Sequence, residues 1–506
     1  MSTNNIQHVF VLMLENRSFD HMLGYSGITG TDAESGRPTK VNGLEGTESN
    51  IYNGTTYSVK PGADWVMPID PGHEFREVLE PLCGPNVVYM SGGSFPNINN
   101  SGFVADYAAA CMAARTQSDP GEIMKCYSPE QLPVLNALAQ EFVVCDNWYA
   151  SMPGPTWPNR MFLHAASSGG LDHSPTTAEI VLWETADGFS FVHGTIFDAL
   201  KRNDIPRCLY GGDDFPMVAA LKGIGLSDIR PFHYFNQDLQ GSYPYVYTFI
   251  EPSYNATSEY RCSTSQHPLD DVTRGEALIK CTYEAIRNSP LWNNSLLIIT
   301  WDEHGGFYDH AIPPVAVPPG DTAPDSSHNQ SGFTFQLYGP RVPAIAISPL
   351  IPRNLIDHRL YDHTSILATL EALYDIQPLT KRDASAKNLT PLISLSNPRD
   401  DAPTVLPSPA ESGVGGCAPF SCSAPTLMEA AMATPPVSNA KASVNDANLP
   451  SVIHSAMRTD LALAPEEKAQ ILARVSGLKT RGDAANYIEQ VRQRLRAAQS
   501  SPPPTI

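Results

Sequence analysis

Two short apolar runs each end in a pair of oxygen-bearing side chains: Val9-Phe10-Val11-Leu12-Met13-Leu14 leads into Glu15-Asn16, and Leu296-Leu297-Ile298-Ile299-Thr300-Trp301 leads into Asp302-Glu303. Runs of about six residues with no polar face read as strands buried on both sides, the habit of parallel sheets covered by helices. In such sheets ligands bind just beyond the carboxyl ends of the strands. If these two strands are neighbours, they bring three carboxylates and an amide to one rim. Oxygen donors of that kind suit a hard divalent cation. Acids also stand at strand ends simply because the chain emerges into water there. The two pairs together, with the motifs further along, favour a site.

The 506 residues suffice for one large domain with additions, or for two to four smaller domains. A net charge of −20 argues against a general nucleic-acid binder, since phosphate backbones require clustered Lys and Arg. No apolar run approaches the length of about 18 residues that a membrane-spanning helix needs. The start, Met1-Ser2-Thr3-Asn4-Asn5, lacks the basic and long apolar regions of a secretory leader. The expectation is a cytoplasmic chain, one exported by an unconventional route, or one written without its leader. Nine cysteines run from Cys83 to Cys422; they read as free thiols, with a local Cys417–Cys422 disulfide as the alternative.

Residues 1–395 alternate strand and helix patterns, as in a layered α/β domain. Phe142-Val143-Val144-Cys145 and Val342-Pro343-Ala344-Ile345-Ala346-Ile347 read as further strands, Pro343 marking the second as an edge or a late start. Helices are expected from Thr195, over Val272 to Asn288, and after Asp362, where Ile366, Leu367, Leu370 and Leu373 share a face. Residues 25–135 are rich in Gly, Asn, Pro and Ser, which suits lids and substrate-binding loops. Residues 396–440 read as a Pro/Ala/Ser-rich linker. Residues 441–506 form a C-terminal helical extension, with helices over 465–475 and 484–498.

Thr156 lies in Ser151-Met152-Pro153-Gly154-Pro155-Thr156-Trp157-Pro158-Asn159-Arg160, a loop stiffened by three prolines and a glycine. A hydroxyl held still beside a cation can lose its proton and attack phosphorus or a carbonyl. His73, His267, His304, His310 and His363 all stand close to Gly or Pro turns or to acids. Histidine can protonate a leaving alcohol or hold a developing oxyanion near neutral pH.

The motifs Glu15-Asn16-Arg17-Ser18-Phe19-Asp20-His21-Met22-Leu23-Gly24, Val41-Asn42-Gly43-Leu44, Asp70-Pro71-Gly72-His73, Thr156-Trp157-Pro158-Asn159-Arg160, His267-Pro268, Asp302-Glu303-His304-Gly305-Gly306-Phe307-Tyr308-Asp309-His310 and Arg341-Val342-Pro343 follow one another along the chain. In this order they resemble the non-specific phospholipase C family. Its wider superfamily also takes in bacterial phospholipases C and an acid phosphatase branch. The nucleophile loop looks closer to the bacterial branch, the Asp70 and Gly305 blocks to the plant type.

The resemblance implies an alkaline-phosphatase-like α/β fold, a mostly parallel sheet flanked by helices, with one divalent metal ion: Ca, Mg or Mn, with Zn as the alternative. It implies Glu15, Asn16, Thr156, Asp302 and Glu303 as metal ligands, Thr156 as nucleophile, and His73, His267 and His304 as catalytic histidines. His233, His363 and Arg160 are implied to bind substrate. The implied reaction is hydrolysis of glycerophospholipids to diacylglycerol and a phosphorylated headgroup through a phosphothreonine, with transient contact at a membrane surface. A phosphomonoesterase of the acid phosphatase type is the alternative, and a non-catalytic lipid-binding protein stands behind both.

Overall fold

Both apolar runs are strands, and they lie side by side. In the computed structural model, which describes residues 6–183, 187–321, 327–418, 420–423, 435–446 and 448–500, they belong to one large sheet. Its strands are β1 (His8–Leu14), β2 (Thr29–Asp32), β3 (Pro38–Lys40), β4 (Val143–Cys145), β5 (Arg207–Gly211), β6 (Ile229–Pro231), β7 (Tyr247–Glu251), β8 (Ser295–Trp301), β9 (Ala344–Ile347) and β10 (Leu355–Asp357). They run across the sheet in the order β6-β5-β7-β1-β8-β9-β4-β10-β2-β3. Pairing is parallel except at β8/β9, β9/β4 and β2/β3. Every side chain of β8, and every one of β1 after His8, is buried. That is why the two runs carry no polar face.

Pro343 marks a late start and not an edge. β9 begins one residue after it and lies inside the sheet, between β8 and β4. The missing N–H thus falls just outside the ladder, while the Pro343 carbonyl accepts from Thr300 Oγ1 at 3.0 Å.

The helices that matter for the site are α1 (Phe19–Leu23), α2 (Phe75–Cys83), α3 (Thr156–Ala165), α4 (Val272–Arg287) and α5 (Thr364–Tyr374). Asp271 caps α4 by accepting from Thr273 N–H. α4 packs on β1 and β8, and α3 packs on α5. The stretch expected to be irregular, residues 25–135, holds β2, β3, a hairpin of Ser49–Tyr52 with Thr55–Ser58, and helices including α2.

The described part of the C-terminal extension holds the α-helices α6 (Leu449–Leu463), α7 (Lys468–Gly477) and α8 (Arg481–Ser500). They share an apolar cluster, with Leu449, Ile453, Met457, Ile471, Val475, Tyr487 and Val491, which also takes in Ile180 and Phe215 of the α/β part. The extension is therefore docked on the main domain.

The described part of the presumptive linker is docked as well, along α4. Arg287 Nη2 donates to Ala402 O at 2.9 Å, Tyr283 Oη to Pro403 O at 2.6 Å, and Leu406 N–H to Glu284 Oε1 at 2.7 Å. Ala402 and Leu406 are buried in the main core. Its two cysteines pair with the α/β domain, Cys417 with Cys262 and Cys422 with Cys281, so the expected free thiols and the local alternative both give way at these positions. Cys83, Cys111, Cys126, Cys145 and Cys208 are free and buried.

Candidate active site

Leu14 pairs with Trp301 in the parallel register of β1 and β8, so Glu15 and Asp302 leave the sheet level with each other. The two strand ends stay bonded beyond it. Asn16 N–H donates to Asp302 Oδ1 at 3.0 Å, and Arg17 N–H to Glu303 O at 2.9 Å. Asn16 turns the chain with φ of 57°, a left-handed conformation that asparagine tolerates. Its carbonyl lies where a Cβ at Gly305 would be, 2.1 Å away, and Gly305 has φ of 63°. Only glycine fits there, which accounts for the Gly305-Gly306 turn after the acids.

Thr156 opens α3 and is not in the middle of a loop. The rigidity of the preceding segment comes from Asn159 as much as from the prolines. Its Oδ1 accepts from Met152 N–H at 3.0 Å, and its Nδ2 donates to Gly154 O at 3.0 Å and Pro155 O at 3.1 Å. Thr156 Oγ1 donates to Asn16 Oδ1 at 3.2 Å. One helical turn on, Arg160 faces the same way. Its Nε donates to Asp302 Oδ2 at 2.9 Å and its Nη2 to Leu14 O at 2.8 Å. The guanidinium thus buttresses a strand end and a carboxylate, where the resemblance implied substrate binding; its Nη1 is buried without a partner.

His73 comes from the turn before α2. Its Nε2 is 3.3 Å from Asn16 Nδ2, and its Nδ1 is 2.9 Å from Pro71 O. This geometry calls for a neutral ring with the proton on Nδ1. Burial also favours the neutral ring, but Glu303 and Asp70 outweigh it and carry His73 up to about 10.

His267 Nε2 lies 3.4 Å from Asp70 Oδ2, and its Nδ1 accepts from Leu269 N–H at 3.3 Å, which puts the proton on Nε2. Its ring lies flat on Tyr260, 3.4 Å between centroids and 3° between planes. Burial lowers its proton affinity against the pull of Asp70.

Glu15, Asn16, Asp302 and Glu303 are 0% exposed and Thr156 is 2% exposed. Burial, then the neighbouring Asp302, pushes Glu15 well above the usual carboxylate range. Burial lifts Asp302 too, against Arg160. Glu303 is pushed up to about 8 by burial, with His73 opposing and Asp302 adding to the rise. Among the described residues neither Glu15 nor Glu303 is paired with a Lys or Arg, and Glu15 Oε2 and Glu303 Oε1 are buried with no hydrogen-bond donor. A buried carboxylate oxygen without a donor is destabilising unless a proton or a cation meets it. The donor set, all oxygen, fits a hard divalent cation.

A second acidic cluster, Asp20, Asp309 and His310, brings its ligand atoms within 4.8 Å of one another. Its oxygens are already taken by donors. Arg341 gives Nη2 to Asp20 Oδ1 at 2.9 Å and Nε to Asp309 Oδ1 at 2.8 Å, and His310 N–H meets Asp20 Oδ2 at 2.7 Å. It ties α1 to the turn after Glu303 and needs no metal.

His363 and His233 make contacts other than those the resemblance implied, while His304 stays at the rim. His363 gives Nε2–H to Asp302 O at 2.6 Å and accepts from Trp148 Nε1 at 3.3 Å. Both nitrogens are thus bonded to protein, Nε2 at the β8 end and Nδ1 at Trp148, and the ring buttresses that end of the sheet. His233 is half-exposed on the wall of a separate cavity of about 590 Å³ beside β5 and β6, lined also by Gly212, Arg230 and Phe420. The structure does not bring it to Thr156. His304 lies against Glu303, with Nδ1 3.2 Å from Oε2, and burial pushes it down to about 3, so it is neutral. Three further residues contribute: Asp70, three residues before His73 in Asp70-Pro71-Gly72-His73, and Tyr260 and Asn448, which no local sequence pattern marks.

The phosphoesterase family model matches residues 6–377. Non-specific phospholipase C6 of Arabidopsis thaliana is 36% identical over 431 residues, spanning 80% of this chain and 75% of the relative. Phospholipase C B of Mycobacterium tuberculosis is 28% identical over 444 residues, 80% and 81% of the two chains. A solved protein of the alkaline phosphatase superfamily from Vibrio parahaemolyticus overlaps 53% of this chain and 64% of its own, at 15% identity and a TM-score of 0.28, which adds nothing to the sheet order itself. The family match begins just before β1 and ends beyond α5, so it contains every strand that builds the rim, and the chain belongs to the phosphoesterase family as a phosphoric ester hydrolase.

Proposed function

We propose that the enzyme is a phospholipase C that cleaves glycerophospholipids to diacylglycerol and a phosphorylated headgroup, with Thr156 as nucleophile and one divalent cation held by Glu15, Asn16, Thr156, Asp302 and Glu303. The observation that carries this reading is the hydrogen bond from Thr156 Oγ1 to Asn16 Oδ1, which ties the opening residue of α3 to the acidic strand ends. The phospholipase C relatives supply the substrate class. When bound, the cation would lower the pKa of the threonine hydroxyl and offset charge on the phosphoryl oxygens.

The residues then have separate tasks. Thr156 Oγ attacks phosphorus in line, forming an Oγ–P bond as the bond to the diacylglycerol oxygen breaks. The opening turn of α3 directs its free N–H groups towards the phosphoryl group. His267, neutral with its proton on Nε2, donates a hydrogen bond to the leaving diacylglycerol oxygen, and the proton that Thr156 Oγ gives up ends on that oxygen. His73 steadies Asn16 and contacts the phosphoryl group. Water then cleaves the phosphothreonine, and its proton returns to the site as Oγ leaves. Glycerophospholipid reaches such a site from a membrane surface, so transient contact with one belongs to the proposal. Among the described residues no helix is long and apolar enough to cross a membrane.

The test is a product assay on mixed phospholipid vesicles, with and without chelator. Diacylglycerol release that stops with chelator and returns with added cation is expected. Turnover of small phosphate monoesters alone would replace this reading with an acid-phosphatase-type one.

A further inference from the structure

The C-terminal extension reaches the site through Asn448. Ahead of α6 the chain crosses the loop that carries Tyr260 and His267. Ser258 Oγ donates to Pro435 O at 3.0 Å, and Ser438 N–H to Thr257 O at 3.3 Å. Asn445 Oδ1 takes Thr177 N–H and Oγ1 at 2.9 and 3.0 Å. Arg481 of α8 clamps this crossing, donating Nη1 to Ser438 O at 2.9 Å and pairing with Glu259 and Asp446.

Asn448 follows, at the cap position of α6 with Pro450 in the first turn. An asparagine there ordinarily turns its side chain onto a free N–H of the helix. Asn448 makes no such bond. Its Nδ2 donates to Glu15 Oε1, and its backbone N–H donates to Tyr260 Oη at 2.9 Å. Tyr260 is the ring on which His267 lies. Glu15 thus has one oxygen held by Asn448 and the other, Oε2, buried without a donor.

We infer that Asn448 is a positioning residue of the cation site: by holding Glu15 Oε1 it leaves Oε2 as the oxygen that meets the cation, so the C-terminal extension completes a site built otherwise from the α/β domain. This rests on the cation reading proposed above. Partners that orient a ligating carboxylate commonly change metal affinity by about 10–100-fold when removed.

The test is calorimetric titration of the full chain with Mn²⁺, together with melting in chelator. Asn448→Ser is the main variant, because serine caps a helix well but is too short to reach Glu15; Asn448→Ala is the second. Each should weaken Mn²⁺ binding about 10–100-fold while leaving the melting temperature in chelator within a few degrees of wild type. In a Glu15→Gln background the same substitutions should change affinity less than about twofold, because the group that Asn448 acts through is already altered. Unchanged affinity overturns the inference. So does tighter binding, which would make Asn448 a latch that blocks the site, and so does an equal loss in both backgrounds, which would make it merely structural. Wild-type protein that binds no divalent cation overturns the cation reading itself, an outcome distinct from all three.

Discussion

Replacing Cys281 and Cys422 with alanine should destabilise the protein by about 3.5 kcal/mol, well short of what the bond's span suggests. Cys281–Cys422 spans 141 residues and Cys262–Cys417 spans 155. Taken alone, a loop of either length restricts the unfolded chain by about 5 kcal/mol on the chain-entropy account. The two are not closed alone. Cys262 and Cys281 are about 19 residues apart and Cys417 and Cys422 about five, so with one bond in place the other closes a loop of about 24 residues. Removing either pair should therefore cost about 3.5 kcal/mol, and removing both about 8.5, more than twice the single loss. The hydrogen bonds from Tyr283, Arg287 and Glu284 to residues 402–406 persist in every variant, so the differences isolate the cross-links. The assay is guanidinium unfolding followed by tryptophan fluorescence, with free energies taken from midpoint and slope. Strictly additive losses, or a single-pair loss of about 5 kcal/mol, would refute the nested-loop reasoning.

Thr156→Val keeps the shape of the buried side chain and removes Oγ; turnover should fall about 10⁴-fold or more, while the lost bond to Asn16 lowers stability by only about 1 kcal/mol. Wild-type turnover in that variant would remove Thr156 from the reaction. Asp302→Asn takes a charge from the rim and from the partner of Arg160; elemental analysis should show less bound metal, and unchanged content would end the case for Asp302 as a ligand. Glu371 is pushed up to about 9 by burial and by Asp383 beside it. Folded, it keeps its proton; unfolded, it loses it near its ordinary value of about 4.5. Its contribution is thus complete below about pH 4.5 and is lost as pH rises towards 9. Glu371→Gln stays neutral throughout, so the fall in unfolding free energy between pH 5 and pH 8 should be shallower than in wild type, and an identical fall would contradict the assignment.

The sheet was legible because β1 and β8 are buried on both faces, which leaves an unbroken apolar run in the sequence. The rim was legible for the same reason: the acids begin where the run ends. Thr156 and Arg160 were found by motif, but reading their segment as a loop hid the helical turn that aims both at the strand ends. His363 illustrates what local sequence cannot show. Its partners, Trp148 and the Asp302 carbonyl, lie 215 and 61 residues away, and only they decide whether the ring faces substrate or protein. The cysteines misled in a related way. Cys417 and Cys422 are close in sequence, yet each is held by a different element, Cys262 in the loop before His267 and Cys281 on α4.

Helix α6 escaped the sequence reading because Ser451, His454, Ser455 and Thr459 dilute its apolar stripe and are middling helix formers. Polar residues of α6 are spent on packing. Ser455 Oγ donates to Pro216 O at 2.8 Å, and Arg458 Nη1 reaches Leu221 O and Ile224 O at 2.9 Å. A helix that binds its neighbour through backbone carbonyls has less need of a continuous apolar face. The same economy brings Asn448 to Glu15 across 433 residues. The α/β domain supplies the nucleophile and four of the proposed ligand side chains from strand ends and a helix start, where backbone geometry fixes them closely. Glu15, whose carboxylate has two equivalent oxygens and no Lys or Arg partner among the described residues, has one of them held from outside that framework, by Asn448 of the extension.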